Sequence, residues 1–131
     1  MGFAILPLRL PTRRAEALPQ PAIIAGPHAR EVWYNSYTTM RFRFDARKSQ
    51  RLRANPQRGI GFEEAQEIFS HPYYLDQRSD VSEQYRAIGW VGERLYTLIF
   101  EVREDGKGEY YHLVTLWKAT QQEQQLYEEH S

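Results

Sequence analysis

The sequence predicts a single α+β domain between Met40 and Glu129, of element order β-α-α-β-β-β-β-α, in which helices pack on a small, mainly antiparallel sheet. Three features carry this. Met40-Arg-Phe-Arg-Phe44 alternates apolar and polar residues with the period of a strand, and residues 84–118 hold further extended runs. Phe62, Ala65, Ile68 and Phe69 recur instead at helical spacing and form one apolar stripe. Pro56, Pro72, Gly92 and Asp105-Gly-Lys-Gly108 punctuate the chain between these segments.

Taken in order, the strand at 40–44 aims Met40, Phe42 and Phe44 at the core. Asp45 then caps a basic helix from Ala46 to about Ala54, because its carboxylate can accept free backbone N–H groups of the first turn. Pro56 stops that helix and drives Asn55 out of the α region. Gly59-Ile-Gly61 turns the chain into a second helix, with Glu63 and Glu64 favourably placed against its dipole and Pro72 ending it. Tyr73-Tyr74-Leu75 reads as a short strand. Gln84–Val91 and Arg94–Arg103 form two more, joined at Gly92, and Leu95–Phe100 is apolar on both faces, as in a central strand. Asp105–Gly108 is a hairpin signal leading to a last strand, Tyr110–Lys118. Thr120-Gln-Gln-Glu123 is a capping box opening a helix to about Glu129.

Residues 1–39 differ in character. They are rich in Pro and small residues, with Ala22–Pro27 as their one apolar cluster, and are expected to form a poorly ordered extension with a short strand near Val32-Trp33-Tyr34. Met40 offers an alternative translation start. Formal net charge is zero over 131 residues. Residues 40–61, however, hold seven Lys/Arg against Asp45 alone, a net +6, while residues 62–131 hold six basic against fourteen acidic residues, a net −8. A segment so basic suits a polyanion. The absence of cysteine excludes disulfides and thiolate chemistry, no apolar run is long enough to span a bilayer, and a soluble, cytoplasmic protein is expected.

His28, His71, His112 and His130 have no metal-ligand spacing, and Gly59-Ile-Gly61 lacks the strand and third glycine of a phosphate loop, so no metal or cofactor is expected. Cationic and aromatic side chains near the sheet remain: Arg86, Arg103, Lys118, Tyr111 and His112. Such a set can bind an RNA backbone. Metal-free cleavage needs a group to take the 2′-OH proton, one to protonate the leaving oxygen, and cations to steady the phosphorane. His112 suits proton transfer, with Tyr111 as the substitute, and Arg or Lys suits the charge.

Four motifs in order resemble the BrnT family of bacterial toxins over residues 40–129. They are Met40 with Phe42-Arg-Phe44-Asp45 and Lys48; Gln57-Arg-Gly-Ile-Gly-Phe-Glu-Glu-Ala65 with Phe69 and Pro72; Glu83-Gln-Tyr-Arg-Ala-Ile-Gly89; and Lys118-Ala-Thr120, Glu123 and Tyr127-Glu-Glu129. The resemblance implies a RelE-like fold, metal-independent ribonuclease activity, and a type II toxin–antitoxin system with a ribbon-helix-helix antitoxin. Promoter DNA would be bound only through that antitoxin. On this reading Lys118, Arg103, His112 and Lys48 are the catalytic candidates. Arg58, Arg86, Tyr111 and Arg51 are the RNA-binding ones, and all these cations are expected to converge on one phosphate. The chain departs from the family pattern at Arg58, where a histidine is usual, at Gln84 and Trp117, which replace arginines, and along the glutamine-rich last helix. The loss of fork-shaped cations leaves a second expectation open: a catalytically inactive homologue that binds the partner and serves in transcriptional autoregulation.

Overall fold

A computed structural model describes residues 40–78 and 83–130, together with the backbone of strands at 22–24 and 31–35. The strands are β1 (Ala22–Ile24), β2 (Glu31–Asn35), β3 (Arg41–Asp45), β4 (Tyr74–Gln77), β5 (Gln84–Val91), β6 (Arg94–Asp105) and β7 (Gly108–Lys118). The helices are α1 (Ala46–Ala54), α2 (Phe62–Ala65) and α3 (Gln121–Glu129). The fold is α+β, with one seven-stranded sheet in the order β1-β2-β3-β7-β6-β5-β4. Every pairing is antiparallel except β3 with β7. The expected strand near Val32–Tyr34 is part of β2, which extends the sheet beyond β3. The expectation of poor order over the rest of residues 1–39 lies outside the described residues.

The local signals work as their chemistry requires. The Asp45 carboxylate accepts from the Arg47 and Lys48 amides at 2.9 and 3.2 Å. Asn55 leaves the α region at φ −83°, ψ 116°, ending α1. The second helix is shorter than its apolar stripe suggests: four α residues pass into a 3₁₀ segment, Gln66–Ser70. Side chains three apart eclipse in that tighter coil, which turns Gln66 inward alongside Phe69.

One sheet face carries the main core. Phe42 and Phe44 of β3, Leu98 and Phe100 of β6, and Tyr111, Leu113 and Leu116 of β7 meet Leu52, Phe62, Ile68 and Phe69 from the helical side. The other face is covered by α3, where Tyr74, Ile88, Leu95 and Ala119 form a smaller cluster with Leu126 and Tyr127. As the composition of Leu95–Phe100 foretells, that stretch is buried throughout. No helix among the described residues is long and apolar enough to cross a membrane.

A polar network fixes α3 to the sheet. Glu123 closes the capping box, its carboxylate taking the Thr120 amide at 2.9 Å and its own amide donating to Thr120 Oγ1 at 3.2 Å. The same buried carboxylate accepts from Thr97 Oγ1 at 2.8 Å and Trp117 Nε1 at 3.0 Å. Arg86 Nη1 approaches it at 3.6 Å while gripping Asp76 in a fork at 3.0 and 2.5 Å. The hydrogen bonds that Arg86 donates to Asp76 outweigh burial and raise the Arg86 pKa above its ordinary value. Removing that cation leaves two buried carboxylates uncompensated, so Arg86→Met should cost about 3–5 kcal/mol in denaturant unfolding. A loss below 1 kcal/mol would show that the network is not structural.

Gly61 fixes the entry to α2. A Cβ there would lie 2.5 Å from Ser49 Oγ and 2.7 Å from Arg53 Nη2. Ser49 Oγ is committed on both sides, donating to Glu63 at 2.5 Å and accepting from the Phe62 amide at 2.8 Å. Gly61→Ala should therefore lower stability by roughly 1–3 kcal/mol, as overpacking does, read as a drop in thermal midpoint.

Candidate active site on the sheet face

Beyond the reach of α3, the second sheet face carries a polar row dictated by register. Gln84 of β5 lies opposite Glu101 of β6, Glu101 opposite His112 of β7, and His112 opposite Arg43 of β3. Directly opposed residues share a face, so these four side chains emerge together. Arg103, two residues past Glu101, shares that face as well.

Glu101 is the hub. Gln84 Nε2 donates to one carboxylate oxygen at 3.1 Å and Arg103 Nε to the other at 2.9 Å, with Arg103 Nη2 also in contact. Burial alone would raise the Glu101 pKa. The hydrogen bonds from Gln84 and Arg103, with the charges of Arg103 and His112, outweigh it and hold the carboxyl below its ordinary range. The Arg103 side chain is 51% exposed while that of Glu101 is 15% exposed, so the pair presents a cation outward over a recessed anion. This arrangement can keep a carboxylate ionised next to an imidazole and a guanidinium, the components of metal-free phosphodiester cleavage. Glu101 was missed in the sequence, where it reads as one more strand glutamate; only its register opposite His112 marks it.

The structure divides the other sequence-derived candidates instead of converging them. Lys118 lies opposite Tyr96, five residues along β6 from Glu101, which is about 17 Å at the usual strand rise. It also projects from the opposite sheet face, toward the α1–α2 loop, where its Nζ donates to the Pro56 carbonyl at 3.2 Å. Arg58 joins it there with a guanidinium N–H on the Leu116 carbonyl, and Tyr96 Oη donates to the Arg58 carbonyl at 2.7 Å. Lys48 is close enough to feel Arg51 and Arg58; its pKa is lowered by burial first and then by Arg51, partly offset by Asp45. Lys48, Arg51, Arg58 and Lys118 thus form one group, and Arg103 with His112 another.

Two candidates are taken up by the fold itself, one in the core and one in an ion-pair network. Tyr111 is fully buried, with its ring against Phe42, Phe69 and Phe100, so it belongs to the core and not to a base-stacking surface. Arg86 is committed to Asp76 and Glu123. It contributes instead to the floor of an open cleft of about 600 Å³ beside α3, with Trp117, Gln122, Gln125 and Leu126. Trp117 lines this cleft and donates its indole N–H to Glu123. No protein-family model matches the chain, and no curated protein matches it.

Proposed function

We propose that the chain is a metal-independent ribonuclease of the kind found among BrnT toxins, cutting RNA on the second sheet face with Glu101 and His112 as its acid–base pair. One observation carries this reading: the β6–β7 register faces Glu101 with His112 while Arg103 clamps the same carboxylate. Glu101 takes the proton from the 2′-OH, and the 2′-oxygen forms a bond to phosphorus. The bond from phosphorus to the 5′-oxygen breaks as protonated His112 supplies that oxygen's proton. The Arg103 guanidinium stabilises charge on the phosphorane. The products are a 2′,3′-cyclic phosphate and a 5′-hydroxyl.

The element order from β3 to α3 is the order expected of a RelE-like fold, which supports that finer assignment. The same reading supplies a cytoplasmic setting and a ribbon-helix-helix antitoxin as partner, with promoter DNA contacted through the antitoxin alone. A second reading, a silent homologue that binds its partner without cutting RNA, draws support from Gln84 and Trp117. Both stand where the family pattern has arginines, and both spend their donors on internal carboxylates.

One experiment separates the two. Purified protein with RNA and EDTA should release fragments ending in cyclic phosphate, and His112→Ala or Glu101→Gln should each lower kcat/KM by about 10²–10⁴-fold. Activity needs Glu101 ionised and His112 protonated. The acid limb of the pH profile should therefore sit below the ordinary carboxylate range, because Glu101 is held below it. Intact RNA under these conditions establishes the silent reading. Cleavage that survives both substitutions eliminates the assigned acid–base pair.

A further inference from the structure

We infer that the corner built from Lys48, Arg51, Arg58 and Lys118 is a second anion site, a grip for the phosphodiester backbone of RNA away from the sheet-face site. The RNA identity rests on the ribonuclease reading; the existence of an anion site rests on charge and geometry alone.

Four arginines elsewhere in the described residues are cancelled by carboxylates. Arg41 is forked onto Asp105 at 2.8 and 3.0 Å, Arg53 onto Glu63 and Glu64, Arg86 onto Asp76 and Arg103 onto Glu101. At the corner, no described carboxylate forms an ion pair with Lys48, Arg51, Arg58 or Lys118. Asp45, the nearest acid by its influence on Lys48, is occupied as the N-cap of α1. Like charges are crowded there, since both Arg51 and Arg58 disfavour the charged form of Lys48. Two of the four are held in place by neutral backbone carbonyls, Arg58 by Leu116 and Lys118 by Pro56, which orient a cation without cancelling it. Crowded, pre-positioned and uncancelled positive charge is complementary to a string of phosphates. Because the group spans a helix, a loop and a strand end, it suits a backbone more than one compact anion.

The test is binding of a fluorescein-labelled 2′-O-methyl oligouridine, followed by anisotropy across a salt series. That RNA lacks the 2′-hydroxyl nucleophile, so the readout does not depend on whether Glu101 and His112 cut anything. Four phosphate contacts give a slope of about −2.8 in log affinity against log salt, a loss of roughly fiftyfold between 50 and 200 mM. Arg58→Ala with Lys118→Ala should leave only about a sevenfold loss over the same range. Should the double variant fail to fold, the exposed Arg51→Ala alone should reduce the loss to about eighteenfold. Unchanged salt dependence in folded variants overturns the site. Tighter binding of polyglutamate than of the oligouridine would assign the corner to an acidic protein segment and overturn the RNA assignment.

Discussion

One irregularity in the β6–β7 ladder controls where the chemistry falls. Phe100 pairs with Leu113 and Ile99 with Thr115, so Val114 is the extra residue of a β-bulge. Side chains alternate strictly along a strand, and one inserted residue exchanges the faces of everything beyond it. His112 and Lys118 are six positions apart and would share a face on a regular strand. The bulge sends them to opposite faces: His112 to the polar row with Glu101, Lys118 to the corner beside the α1–α2 loop. The same shift puts Leu116 into the main core and turns Trp117 toward α3.

The charge pattern follows from that partition. On the second sheet face and at its rim, Arg41, Arg86 and Arg103 are each matched to an acid of a strand. Asp105 is an example: hydrogen bonds from Arg41 and the Lys107 amide hold its carboxyl down at about 2, and the pair ties β3 to the β6–β7 hairpin. Within the basic run of residues 40–61, Arg41 is matched to Asp105 and Arg53 to the two glutamates that open α2, while no described carboxylate forms an ion pair with Lys48, Arg51 or Arg58. A chain with zero formal charge can therefore present a strongly positive corner, since overall neutrality places no limit on local imbalance.

Trp117 serves the fold in two ways: its indole N–H reaches the buried Glu123 carboxylate and its ring lines the cleft beside α3. Gln84 similarly donates to Glu101 and holds that carboxylate in place. Both side chains are hydrogen-bonded supports, and the cationic groups of the polar row are Arg43, Arg103 and, when protonated, His112.

Most of the elements were legible in the sequence because their signals are local. Asp45, Asn55-Pro56 and Thr120…Glu123 act within a turn of themselves, and the hairpin at Asp105–Gly108 needs only its own backbone. The burial of Leu95–Phe100 was legible for the same reason, since composition along one strand reports its two faces. The fold class and the supply of cationic and aromatic residue types were thus set by sequence alone. Their grouping was not. Which residue faces which across a ladder depends on pairings between distant segments, such as the parallel match of β3 with β7, and on a bulge that leaves no mark in the pattern around Val114. The tertiary structure alone chose Glu101 as the partner of His112, sank Tyr111 into the core, and divided the cations between two faces, because register is a property of two strands and cannot be read from either one.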